Sequence, residues 1–191
     1  MTLIQCIGRV ALGTALLLLI PLSAKMFVAD MAWSLFDFIA AGVLLFGAGL
    51  TFTLLARLGD TGAYRLAVGV AVAAGLLLVW ANLAVGLVGS EDNPANLLYG
   101  GVLAVALIGA FLARFRPLGM SRAMFGAALT YVVVTAIALF LWKPTAATAE
   151  HSVGWLHVVV ANAVFAALWV ASGWLFRRAS NISSRPTQQF A

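Results

Sequence analysis

Charge is what this chain has least of. Asp, Glu, Lys and Arg together make up 9% of its 191 residues, against roughly a quarter in soluble domains. So few charges cannot cover a water-facing surface, and a soluble fold is excluded. Cysteine is nearly absent too. Cys6 is the only one, so no internal disulfide can form, and no apolar stretch precedes it as in a lipoprotein. Histidine is limited to His151 and His157. Haem needs axial ligands, and both histidines fall on the same side of the topology derived below. A two-histidine haem between facing helices is therefore excluded unless subunits pair, and single-ligand haem or quinone roles have no support. There is no phosphate-binding Gly-rich loop, no His-Glu-x-x-His, no paired cysteines and no Gly-x-Ser-x-Gly. ATP hydrolysis, zinc catalysis and acyl transfer have no residues to carry them. The expectation is a non-enzyme with no cofactor and no metal.

What the chain does have is apolar length. Hydrophobic residues make up 64% of it, and a helix needs about 20 apolar residues to cross the hydrocarbon layer. Six such runs are legible, near residues 7–24, 32–56, 63–88, 94–113, 121–142 and 152–176. Pro21 is expected to bend the last turn of the first. Asn93-Pro94 reads as a cap and first-turn proline opening the fourth. The first run resembles a cleaved signal peptide only loosely, because Leu22-Ser23-Ala24 is a poor cleavage site, so it is expected to be retained. The predicted fold is all-α: one bundle of six transmembrane helices over residues 1–178, arranged as three antiparallel hairpins. A polar, disordered tail is expected over 179–191.

The basic residues give the bundle a direction. All nine arginines fall in alternate gaps: Arg9; Arg57 and Arg65; Arg114, Arg116 and Arg122; Arg177, Arg178 and Arg185. The other gaps hold Lys25 and Lys143 with Asp30, Asp37, Glu91, Asp92 and Glu150, whereas Asp60 alone joins the arginines. This asymmetry places both termini in the cytoplasm. It also accounts for the net charge of +5 without nucleic acid. The expected surroundings are the lipid bilayer, with a homo-oligomer or another membrane protein as an open possibility. A second pattern repeats with an offset of 57 residues: Leu55-Ala56-Arg57, Gly62, Arg65 and Gly69 match Leu112-Ala113-Arg114, Gly119, Arg122 and Gly126. It suggests similar helical pairs inserted the same way, as in some transporters.

Polar groups inside lipid are costly and point to function by default. Three lie in the outer halves of the predicted spans. Asp37 sits about one turn below the outer end of helix two, His157 at a similar depth in helix six, and Asn82 slightly deeper in helix three. Small residues share the rows of Asp37 and Asn82, which directs both toward other helices. One reading is an outward polar pocket formed by Asp37, Asn82 and His157. The plainer one, favoured at this shallow depth, is that Asp37 caps a helix or reaches the interface and His157 bonds a backbone carbonyl. Glu91, Asp92, Glu150 and His151 form a candidate acidic rim outside, without metal-ligand spacing. Arg57, Arg65, Arg114, Arg116 and Arg122 are candidate contacts for lipid headgroups, although topology alone explains them.

The stretch Val79–Gly89 followed by Ser90-Glu91-Asp92-Asn93-Pro94-Ala95-Asn96, with Leu35-Phe36-Asp37-Phe38, Leu112–Pro117 and Trp174–Arg178, resembles a group of small bacterial inner-membrane proteins without an assigned activity. The resemblance spans residues 30–178. It implies a bacterial cytoplasmic membrane and a helical bundle, and it brings no catalytic residues. The leading functional expectation is a small permease-like or channel-like protein. The alternative is a non-catalytic component that assembles with a partner complex.

Overall fold

The computed structural model describes residues 2–27, 33–84, 86–87, 94–141 and 155–183. Six α-helices follow one another: α1 Leu3–Phe27, α2 Leu35–Leu55, α3 Gly62–Ala84, α4 Gly100–Leu112, α5 Pro117–Leu141 and α6 Trp155–Ser183. A six-residue 3-10 segment, Pro94–Tyr99, leads directly into α4. With that segment counted into α4, all six are long and apolar enough to cross a bilayer. The 25 residues of α1 span about 37 Å at 1.5 Å per residue, more than the hydrocarbon thickness. The chain is thus an all-α, multi-pass membrane protein in contact with lipid.

Helix ends depart from the hydropathy reading for local reasons. Helix five opens at Pro117, not near Ser121, because proline suits the first helical position, where no backbone donor is needed. Helix six runs on to Ser183, past the expected start of the tail, with Ala179 fully buried. The fourth span opens as a 3-10 segment at Pro94. Within it, Asn96 Oδ1 accepts the Leu87 N–H at 2.9 Å.

The chain forms two compact units, Met1–Arg57 and Leu58–Ala191. In the first, α1 and α2 pack antiparallel. A Cβ on Gly49 would lie 2.9 Å from Val10, and one on Gly42 would lie 3.4 Å from Leu18. Arg57 donates to Cys6 Sγ at one end, and Lys25 donates to the Trp33 carbonyl at the other. Cys6 and Ala41 are the only buried residues described in this unit.

In the second unit α3 packs on α6, α6 on α5, and α5 on α4. Cross-helix contacts fix the directions. Tyr64 meets Phe176, and the Ser172 hydroxyl donates to the Ala67 carbonyl at 2.9 Å. Ser121 donates to the Gly173 carbonyl at 2.7 Å, and Gly109 faces Ala123. Start meets end in each pair, so all three pairings are antiparallel. The hydroxyl of Tyr64 also donates to the Phe115 carbonyl at 2.9 Å, which sets α3 antiparallel to α4. Their main partners are nonetheless α6 and α5, so the central pair is less a hairpin than two flanks of one bundle. Small residues line the seams: Ala67 and Ala74 on α3, Gly109 and Ala110 on α4, Ala123 and Ala127 on α5, Ser172 and Gly173 on α6. They let backbones approach closely where lipid supplies no hydrophobic drive.

The α4–α5 turn closes the end that carries Arg65, Arg114, Arg116, Arg122, Arg177 and Arg178. Arg114 N–H bonds the Phe111 carbonyl and Phe115 N–H the Ala110 carbonyl, the two bonds of a Schellman motif. The position that favours glycine is held by Arg114 at φ 48°, followed by Phe115 at φ 57°. Left-handed backbone at a non-glycine residue costs roughly 1–2 kcal/mol. The Tyr64–Phe115 bond helps to hold it.

Candidate functional site

Asp37 occupies the third position of α2. Its N–H bonds Ser34 Oγ at 3.3 Å, and its carboxylate accepts from the Ser34 N–H at 2.7 Å and the Ser34 hydroxyl at 2.8 Å. This is a complete capping box. Trp33 and Phe38, on either side of it, meet edge to face at 5.2 Å and add the apolar staple that often accompanies such a box. Asp37 therefore caps its own helix. It belongs to the two-helix unit, whereas Asn82 and His157 belong to the four-helix unit.

Asn82 continues the buried row Tyr64, Ala67, Ala74 and Leu78 along α3. Its amide nitrogen donates to the Leu78 carbonyl at 2.9 Å. Its carbonyl oxygen is buried and has no hydrogen-bond partner among the described residues. His157 lies in the first turn of α6, where only the backbone is described. Ala67 faces Ser172. Fifteen residues further along α3, antiparallel packing brings Asn82 level with the residue fifteen before Ser172, which is His157. On the other flank Asn82 comes level with the stretch from Asn96 to Gly101, given the Gly75–Leu103 and Leu87–Asn96 contacts.

That stretch contains Tyr99, and Tyr99 opens onto a buried polar network that no single segment of the sequence announces. Asn162 on α6 is its hub. Its side-chain oxygen accepts the Tyr131 hydroxyl at 2.8 Å and the Thr135 hydroxyl at 3.2 Å. The Tyr99 hydroxyl lies 3.1 Å from Thr135 Oγ1 and 3.5 Å from the same Asn162 oxygen. A carbonyl oxygen has two lone pairs. Tyr131 and Thr135 use both, and Tyr99 is best paired with Thr135. The network then reads Tyr99 to Thr135 to Asn162, met from the other side by Tyr131. Tyr131 is flanked by Tyr99 at 5.3 Å and stacked with Phe165 at 5.8 Å. No charged side chain takes part in these bonds.

Beside the network a cleft of about 280 Å³ runs between α5 and α6. One wall carries Val132, Ala136 and Phe140 in a single helical row, the other Ala163 and Ala166, and the floor is Tyr131, Thr135 and Asn162. Val132, Phe140 and Ala163 are exposed, so the cleft opens on the flank of the bundle. Toward the arginine-bearing end the core is closed by Trp169, Phe176 and Tyr64, each at most 2% exposed, with Leu78 and Val102 buried at the level of the network itself. The Trp169 indole N–H is buried without a hydrogen-bond partner among the described residues.

The candidate acidic rim, Glu91, Asp92, Glu150 and His151, lies outside the described residues. Among those described, no group of His, Cys, Asp or Glu could hold a metal ion. Arg65, Arg114, Arg116 and Arg122 are exposed at one end of the four-helix unit, and Arg57 is exposed beside Cys6 in the other. The signal that could have found the network was present: Tyr131 and Thr135 lie one turn apart on a single face of an apolar span, and Asn162 is a mid-span amide of the same kind as Asn82.

No protein-family model, curated protein or solved structure matches the chain. The class is nevertheless defined. This is a polytopic membrane protein of six helices, and the resemblance to small bacterial membrane proteins is not carried further as a family.

Proposed function

We propose that the protein is a small permease-like carrier for an uncharged solute, with its binding layer in the half of the membrane away from the arginines. The observation that carries this reading is the Tyr99–Thr135–Asn162–Tyr131 network. Three hydroxyls and an amide converge within a membrane-spanning bundle, where polar groups are expensive to place. Asn82 and His157, level with each other and about one and a half turns further from the arginine end, are assigned to the same layer. Asp37 is assigned to helix capping. The core sealed toward the arginine end favours a carrier that must rearrange over an open channel. By the arginine asymmetry, the layer faces the outside of a bacterial inner membrane and both termini are cytoplasmic. The exposed arginines rest among anionic headgroups.

The test is solute counterflow into proteoliposomes, using a panel of uncharged polyols, alcohols and amides. Accumulation of at least one solute, abolished by Asn162→Ala in a variant that remains monodisperse, is the expected result. Absence of counterflow across the panel removes the carrier reading.

One observation favours a second reading. The α1–α2 pair buries only Cys6 and Ala41 among its described residues, which leaves long apolar faces for another membrane protein. A non-catalytic subunit would co-purify with a stoichiometric partner in mild detergent, detectable by native mass spectrometry.

A further inference from the structure

The cleft between α5 and α6 limits what can occupy it. Its mouth is flanked by Phe140, 79% exposed, and Val132, 52% exposed; Val132 lies within the membrane-spanning stretch Pro117–Ala138, and Phe140 lies two residues beyond it on the same helix. Access is therefore sideways from lipid. Its walls are aliphatic or aromatic, and no charged residue lines it among the described residues. From Val132 to Phe140 the wall extends about 12 Å along the helix, long enough for a chain segment and not just a solvent molecule. Among the described lining residues, the polar side chains are all at the floor. Asn162 is 8% exposed, and Thr135 is partly exposed.

The hydrogen bonds at that floor have a polarity. A hydroxyl has one hydrogen to donate and two lone pairs to accept with. Tyr131 and Thr135 both direct their hydrogens at Asn162 Oδ1, and Tyr99, with its hydroxyl 3.1 Å from Thr135 Oγ1 and 3.5 Å from the same Asn162 oxygen, has its hydrogen engaged by one or the other. The hydrogens of the three hydroxyls are thus turned inward, and the hydroxyl capacity left over is for accepting. A head group that only accepts, such as a ketone, ester or ether, finds no hydroxyl hydrogen free among the three. A head group that donates would extend it.

We propose that this cleft is a binding site for an uncharged, hydroxyl-bearing amphiphile dissolved in the membrane, with its O–H donated to the Thr135 hydroxyl and its chain along Val132, Ala136 and Ala166. This deepens the carrier reading by naming its substrate class, but binding at the cleft stands or falls separately from transport. The probe pair is a diazirine-tagged twelve-carbon alcohol and its O-methyl ether, in which a methyl replaces the donor hydrogen. Each is photolysed with the protein in lipid nanodiscs, and the labelled peptides are mapped.

The alcohol is expected to label 132–140 and 163–166 roughly three- to tenfold more than the ether, the range set by one net hydrogen bond. Thr135→Val should bring the alcohol down to the ether's level while keeping side-chain shape. Ala166→Leu should block both probes. Equal labelling by alcohol and ether, or labelling indifferent to Thr135→Val and Ala166→Leu, overturns the proposal. Because Thr135→Val and Ala166→Leu are each read on their own, the test does not depend on an Asn162 variant folding. Selective labelling without counterflow would remove transport and leave the site. Counterflow without selective labelling would remove this substrate class and leave the carrier.

Discussion

The two units solve the problem of staying folded in lipid differently. The α1–α2 pair is held at its ends, by Arg57 with Cys6 at one and by Lys25, Trp33, Ser34 and Asp37 at the other, with Gly49 against Val10 between them. The α3–α6 unit is held along its length. Hydroxyls of Ser172 and Ser121 bond carbonyls of neighbouring helices, glycine seams admit close backbones, and a four-residue network ties three helices together. Lipid is as apolar as leucine, so greasy faces alone do not hold helices together. Polar stitches and tight seams do. The unit that has both inside its bundle is the one that can shape a site.

The sharpest break in this contrast is a bulky residue in a seam. A Cβ at Gly109 would already lie 2.7 Å from Ala123 Cβ and 3.2 Å from its Cα. We expect Gly109→Leu to destabilise the four-helix unit by about 3 kcal/mol through overpacking, measured as a fall in the denaturation midpoint in mixed micelles. Gly47→Leu, where a Cβ meets nothing within 4 Å, should leave the midpoint nearly unchanged. Equal effects at the two positions would erase the distinction between the units.

The next effect belongs to the network. Asn162→Leu strands the Tyr131 and Thr135 donors in a dry interior and should cost about 2 kcal/mol. Adding Tyr131→Phe, which deletes one stranded hydroxyl, should recover part of that loss. If the double variant is the weaker one, the pairing drawn here is wrong. In the two-helix unit, Ser34→Ala removes the capping box and should cost about 1 kcal/mol. The change should be confined to faster amide exchange in the first turn of α2. The smallest expected change is a gain: Arg114→Gly relieves a left-handed residue and should add about 0.5 kcal/mol. A loss on that substitution would mean that the Arg114 side chain contributes more than its backbone costs.

Sequence patterns made the six spans legible because apolar length is a one-dimensional property. The arginine ends were legible for the same reason, and the four-helix unit gathers Arg65, Arg114, Arg122 and Arg177 at one end. The repeat with offset 57 is echoed locally: Arg57 N–H bonds the Leu54 carbonyl as Arg114 N–H bonds that of Phe111. Asp37 was picked out by its charge, yet the residue that answers it is Ser34, three positions away, which a capping-box reading would have supplied. The network was legible only as separate polar residues, not as a cluster. Tyr99, Tyr131, Thr135 and Asn162 lie on three spans, and hydropathy carries nothing about which spans are neighbours. That α3 would pack principally on α6 instead of α4 is information held in the seams.

Tyr64 deserves a mechanical reading. By clasping the Phe115 carbonyl while its ring wedges against Phe176, it rivets three helices at the arginine end, much as a pin joins the arms of tweezers. Any excursion of α4 and α5 away from α3 has to widen toward the far tips, so the chamber near Asn162 can gape while the riveted end stays shut.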